Sequence, residues 1–318
     1  MSADSTIQAA VQRYLDERRQ LGFDLRIAGG QLMRFARYAD AHGHHGPLTL
    51  DIQLDWAREH VHRTGPVTWA RRLEVVRPFA AYYRQFEPQS EVPDSKTFGR
   101  GHRRLTPHIY TEQEICDLLD EAGRLSPQGG LRPVTYRTLF GLIAAAGLRL
   151  SEALHLRDVD VDLAGATLIM RQTKFNKSRC LPVHHSVVQA LCDYRRLRDR
   201  VVPRGVDMPF FSSPSGLGLA SSTVEGVFDQ LRGRLEWSPR GEHPRPRIQD
   251  LRHAFATRRV QLWHEAGVPM NQAMFWLCTY LGHAKISDTY WYLTGVPELM
   301  AVIGTKFETF AHQGVGHE

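Results

Sequence analysis

One change of period constrains this chain more than any other feature. Apolar residues recur at helical spacing in almost every segment, and only Ala166–Gln172 (ATLIMRQ) and Arg179–Val183 (RCLPV) turn strand-like. Recurrence at i, i+3 and i+4 buries one face of a helix, whereas a short apolar run bounded by turn residues fits a half-buried strand. The intervening TKFNKS reads as a turn, so the two runs form a β-hairpin. The pattern therefore specifies a mainly α fold with one small antiparallel sheet.

The sheet belongs to the second half of the chain. Residues 5–86 read as helical, with Ile7, Val11, Tyr14 and Leu15 on one stripe and Leu32, Phe35 and Tyr38 on another. Two further helices span Asp51–His62 and Thr68–Tyr83, which makes a bundle of about four helices over 1–87. Arginines dot its surface, among them Arg13, Arg34, Arg37, Arg71, Arg72 and Arg77. Residues 88–107 carry prolines, glycines and basic residues with little periodicity and read as a linker. A second domain is expected over 108–296. Thr111 with Glu114 three residues on forms a capping box for a helix reaching about Ala122. An apolar helix follows from Arg132 to Ala146 and stops at Gly147. Helices resume at Ser186–Arg200, Ser221–Leu235, Asp250–Ala266 and Asn271–Leu281. A closing segment, 297–318, contains an amphipathic helix from Pro297 to Phe310. A chain of 318 residues suits two domains.

Several function classes are excluded. No apolar run reaches 18 residues and the first 19 residues contain no apolar signal core, so a cytoplasmic protein with no membrane partner is expected. The four cysteines show no CxxC pair and no zinc or disulfide spacing, and read as buried free thiols. There is no GxxxxGK[ST] sequence and no carboxylate cluster of the two-metal kind, so no cofactor is expected. The net charge of +6 favours a polyanionic partner, and its distribution is sharper than its size. Eight arginines stand against three acids between Arg232 and Arg259, while the whole chain has only five lysines. Two of these, Lys174 and Lys177, lie on the hairpin turn.

Four segments carry candidate chemistry. Arg149 follows a helix-ending glycine, with Glu152 one helical turn on to hold it; a guanidinium fork suits a phosphate. Lys174 and Lys177 sit on a turn that projects readily into a DNA groove. Arg252 and His253 occupy the start of a helix, where free N–H groups favour a phosphate. His283 closes LGH, and Tyr292 lies nine residues further. A tyrosine, with an ordinary pKa near 10, needs cationic neighbours to attack phosphorus. Tyr280 and Tyr290 compete with Tyr292 for that role, although Tyr290 and Trp291 read mainly as core anchors.

GLRLSEAL, a lysine-bearing hairpin, DLRHAFAT, LGH and then a tyrosine nine residues on resembles the tyrosine recombinase (phage integrase) family, in order and in spacing, over most of 107–296. The resemblance implies an N-terminal core-binding domain and a mixed α/β catalytic domain. It implies that Tyr292 attacks a DNA phosphate to give a 3′-phosphotyrosyl link. Arg149 and Arg252 would bind the phosphate, Glu152 would support Arg149, and His283 would hydrogen-bond the phosphate. Lys174, or Lys177 in another register, would protonate the leaving 5′ oxygen. The implied partners are a double-stranded recombination site and a homotetramer, with related recombinases as a further possibility and the closing helix docked on a neighbour. TYWYLTGVPEL is similar to mobile-element recombinases. One position departs from the family: Gln249 stands where a histidine is usual, three residues before Arg252. Glutamine can donate an N–H but cannot transfer a proton, so either activity is slower or another group, His253 or a water, covers that step. A type IB topoisomerase and a catalytically weakened accessory protein are the competing functions.

Overall fold

The structure is a computed structural model describing residues 6–294, apart from 61, 100, 102, 103, 172–177, 203, 204 and 206. The hairpin lysines Lys174 and Lys177 and the closing segment 297–318 therefore lie outside the described residues. The chain divides into two compact units, Met1–Arg104 and Leu105–Glu318.

The first unit contains α1 (Ile7–Gln20), α2 (Arg26–Ala41), α3 (Leu50–Arg58) and α4 (Pro66–Tyr83). The Asp40 carboxylate at the end of α2 accepts from the backbone N–H of Ile7 and Gln8 at 2.9 and 3.2 Å, satisfying the first turn of α1. The core is the expected stripe, with Ile7, Val11, Leu15, Leu32 and Phe35 buried against Val76 and Phe79. Several of the arginines read on the surface also donate to backbone, Arg71 while staying exposed and Arg72 and Arg77 while partly buried. Arg72 donates to the carbonyls of Trp56, Ala57 and Glu59 at the end of α3. Arg71 donates to Gly101 and Arg77 to Pro93. Orphan carbonyls at helix ends and in loops attract such donors. The residues after α4 first pack on this unit, as Glu91 N–H donates to Leu48 and the Ser90 hydroxyl accepts from Leu48 N–H.

The second unit contains α5 (Glu112–Gly123), α6 (Leu131–Ala146), α7 (Leu150–Leu154), β1 (Val161–Asp162), β2 (Thr167–Met170), β3 (Arg179–Pro182), α8 (His185–Val201), α9 (Ser221–Leu235), α10 (Ile248–Glu265), α11 (Met270–Leu281) and α12 (Ser287–Thr294). The Thr111–Glu114 capping box forms as expected. The sheet is antiparallel in the order β1-β2-β3, with buried Leu168 opposite both Val161 and Leu181. Two-residue β1 was not foreseen, because two residues carry no period. Helix α6 is central: Leu139, Phe140, Leu142, Ile143 and Ala146 are all buried, so no polar stripe remains on its second half. Free cysteines are present as expected but none is buried. Cys116 and Cys180 are exposed, Cys180 because it faces away from the core on β3 between Arg179 and Leu181. Among the described residues no helix is long and apolar enough to cross a membrane.

Gly147 ends α6 with φ +62°, and a Cβ there would stand 2.3 Å from Cδ1 of Phe255 on α10. Gly147→Ala is expected to destabilise by roughly 1–2 kcal/mol through the left-handed backbone and by about 1–3 kcal/mol more through displacement of Phe255. Gly226 lies inside α9 with open space around it. Its replacement by alanine is expected to stabilise by about 0.5–1 kcal/mol. Urea unfolding midpoints of the two variants should therefore move in opposite directions.

Candidate active site

The site is assembled around the Glu152 carboxylate, whose side chain is 5% exposed. Arg149, the residue before α7, donates its backbone N–H to Oε2 at 2.9 Å and its Nη1 to Oε1 at 2.7 Å. Arg179, opening β3, forks onto both oxygens at 3.0 and 2.9 Å. Arg252 brings Nη1 to 3.7 Å from Oε2. Burial alone would raise the pKa of Glu152. The Arg179 hydrogen bonds, the Arg149 N–H and the Arg179 and Arg252 charges outweigh it, and the carboxyl is held below its ordinary range.

Arg252 is 1% exposed. It donates to the Gly147 carbonyl at 2.7 Å, the Leu281 carbonyl at 2.8 Å and His283 Nε2 at 3.2 Å. Burial lowers its pKa, the neighbouring Tyr292 and Glu152 resist that shift, and Arg149 adds to it. An arginine so perturbed still keeps its proton. The Tyr292 side chain lies beside this guanidinium. Its ring is buried, stacked on His283 with centroids 5.8 Å apart and tilted against His253 at 5.2 Å.

Both histidines are neutral at pH 7. His283 is pushed down to about 4, first by burial and then by Arg252 and Arg149. His253 is pushed down to about 4, chiefly by burial, with Asp250 opposing. His253 Nδ1 is buried and has no hydrogen-bond partner among the described residues. Gln249 is exposed on the first turn of α10, three residues before Arg252. The structure thus brings together Arg149, Glu152, Arg252, His253, His283 and Tyr292. The rival tyrosines face elsewhere. Tyr280 stacks on Phe255 at 5.6 Å. Tyr290 is 41% exposed and so is no core anchor; the helical turn of α12 buries Thr289 and Tyr292 instead.

Two participants were missed in the sequence. Arg179 joins Glu152 to the Tyr280 carbonyl, to which its Nε donates at 3.1 Å. Its signal was strand alternation, which places Arg179 on the face of buried Leu181. Arg179 also explains the glycine of LGH: Gly282 has φ +66°, and a Cβ there would stand 2.7 Å from Arg179 Nη1. The other is Thr289, fully buried, whose hydroxyl lies 2.8 Å from His283 Nδ1. Among the described residues no three His, Cys, Asp or Glu side chains cluster so as to hold a metal ion.

Three arginines, one of them buried, gather on a shared carboxylate with a tyrosine beside them, and solved structures of the same fold are DNA recombinases. The chain aligns with the Tn1549 transposon integrase solved with transposon right end DNA at TM-score 0.67 and 17% identity, covering 90% of this chain and 94% of that one. It aligns with the XerH site-specific recombinase bound to difH substrate at TM-score 0.65 and 16% identity, covering 88% and 79%. Residues 109–296 match the phage integrase family. The y4rB protein of Sinorhizobium fredii, assigned as an integrase/recombinase, is 37% identical over 93% of this chain and 95% of its own length. Tyrosine recombinase XerC of Pseudomonas entomophila is 30% identical over 74% of this chain and 72% of its own. The chain belongs to the phage integrase family, the tyrosine recombinases.

The two neutral histidines set a pH dependence. Unfolded histidine titrates near 6.5, whereas His253 and His283 stay neutral in the fold down to about 4. The unfolded state takes up protons first, so their contribution to stability is intact above pH ~6.5 and is lost as pH falls toward ~4. The more buried His253 accounts for a loss on the order of 3 kcal/mol, and the partly open His283 for less. Chemical unfolding followed from pH 8 to 4 should show this fall, and His253→Phe should flatten it.

Proposed function

We propose that this protein is a site-specific recombinase that cuts and rejoins double-stranded DNA through Tyr292, in the integration or excision of a mobile element. The observation that carries the reading is the packing of Tyr292 against Arg252 and His283, with Arg252 and Arg149 sharing Glu152. Arg149, Arg252 and Gln249 would donate to the non-bridging oxygens of the scissile phosphate, together with His283. The Tyr292 oxygen forms a bond to phosphorus as the bond to the 5′ oxygen breaks. The phenolic proton passes to water or to His253, and Lys174, with Lys177 as its alternate, gives a proton to the 5′ oxygen. Attack by a 5′ hydroxyl of a second strand reverses the step. The energy of the broken bond is kept in the phosphotyrosyl link, which is why neither ATP nor metal is required.

The first unit would be the core-binding domain and 88–107 the linker. Segment 297–318 would dock on a neighbouring protomer in a tetramer, alone or with related recombinases. The likeness to an integrase/recombinase over nearly the whole chain supports the mobile-element role, and a cytoplasmic, nucleoid-associated location goes with it.

The test is a pool of nicked duplexes of randomised sequence, incubated with the protein and screened for denaturant-resistant adducts. Wild-type protein should form an adduct through the 3′ phosphate, and Tyr292→Phe should bind DNA but form none. DNA binding without an adduct from wild-type protein would identify an accessory protein. Supercoil relaxation on any sequence would identify a topoisomerase. Gln249→His is expected to speed cleavage by about tenfold or more, since a positioned acid–base group contributes on the order of 10²–10⁴. No gain at any pH would show that glutamine does not limit the rate.

A further inference from the structure

Both ring nitrogens of His283 are engaged, and their partners differ in kind. Nε2 lies 3.2 Å from Arg252 Nη2, a group that only donates, so Nε2 carries the lone pair. The proton of the neutral ring is then on Nδ1, which donates to the Thr289 hydroxyl at 2.8 Å. Burial opposes an imidazolium first, then Arg252, Arg149 and Arg179, while Asp288 favours it. In this tautomer Nε2 has no proton to offer a phosphate oxygen.

A phosphodiester entering the site meets that lone pair. Arg252 Nη2 can turn its N–H to the phosphate, but Nε2 would then face an anion with a lone pair. Three guanidiniums against Glu152 and Asp288 leave a charge of +1, which a phosphodiester brings to zero, while burial, the first cause that holds the ring neutral, persists, so an imidazolium stays disfavoured. The neutral ring has one remaining course: Nδ1 gives its proton to water and Nε2 takes one from water, with no change in charge. Nδ1 then needs a donor. A hydroxyl supplies it by rotating its O–H, because it both accepts and donates.

We propose that Thr289 is the positioning residue that serves His283 in both tautomers, accepting from Nδ1–H in the free protein and donating to Nδ1 when a phosphodiester takes an N–H from Nε2. The second half of this proposal rests on the recombinase reading; the tautomer of the free protein does not.

The test uses the full chain labelled with ¹⁵N-histidine, with His283→Gln to assign the ring, and dimethyl phosphate as the phosphodiester probe. Free wild-type protein should show His283 protonated at Nδ1, and the probe should move the proton to Nε2. Thr289→Ser should preserve both states. Thr289→Val, equal in shape, should lose the switch. In the adduct assay it should slow cleavage by at least about tenfold with unchanged DNA affinity, and Thr289→Ser should restore the rate. A free ring already protonated at Nε2, an imidazolium on adding the probe, a pattern unchanged up to the solubility limit of the probe, or wild-type cleavage by Thr289→Val would each overturn the proposal. Wild-type protein that shows the ring switch yet forms no adduct would overturn the recombinase reading and leave the Thr289 assignment standing.

Discussion

Everything in the site leans on one buried carboxylate. Glu152 holds Arg149 and Arg179 by hydrogen bonds and stands 3.7 Å from Arg252. Without it three guanidiniums would repel one another in a poorly solvated space, where charge interactions are several times stronger than in water. With it the desolvation of the carboxylate is offset by direct donors, the condition under which a buried charge is tolerated. Three guanidiniums on the one carboxylate leave the cluster cationic. The carboxylate is thus both a structural tie and the reason the cations are in place before a substrate arrives.

Helix ends supply the rest of the frame. Arg252 donates to the carbonyls of Gly147, just past α6, and of Leu281, the last residue of α11. The last carbonyls of a helix have no partner within it and carry its negative partial charge, so two helix ends converging on one guanidinium satisfy both needs. Each end turns through a glycine of positive φ, Gly147 and Gly282, and each glycine is also required by contact, with Phe255 and Arg179 respectively. The backbone that shapes the cation's cradle and the residues flanking it are a single construction.

This explains what the sequence disclosed and what it withheld. The helices of both units were legible because their apolar stripes are long, and α9 and the Thr111 cap match residue for residue. Arg149, Arg252, His283 and Tyr292 stand out by their order and spacing along the chain, and the fold brings these four together. Arg179 and Thr289 do not, since each acts through a partner elsewhere in the chain; strand alternation put Arg179 on the inner face of β3 but named no partner for it. The surface role read for Arg72 failed for the same reason: three carbonyls at the end of α3 claim it, and that geometry exists only after folding. Tyr290 failed on helix phase, because α12 buries Thr289 and Tyr292 on one side and leaves Tyr290 on the other.

The same cations that prepare the site for an anion also silence its histidines. Arg252 and Arg149 help to hold His283 neutral, and burial does the same to His253. Gln249 adds no titrating group at the exposed start of α10. Among the described residues this side of the site offers fixed donors and fixed charge. Arg179 connects this side of the site to β3. It opens β3 two residues after Lys177, and its fork onto Glu152 ties the strand leaving the hairpin tip to the carboxylate that fixes Arg149. A hairpin displaced from the domain would take Arg179 with it, and with Arg179 half the hydrogen bonds that keep Glu152 ionised.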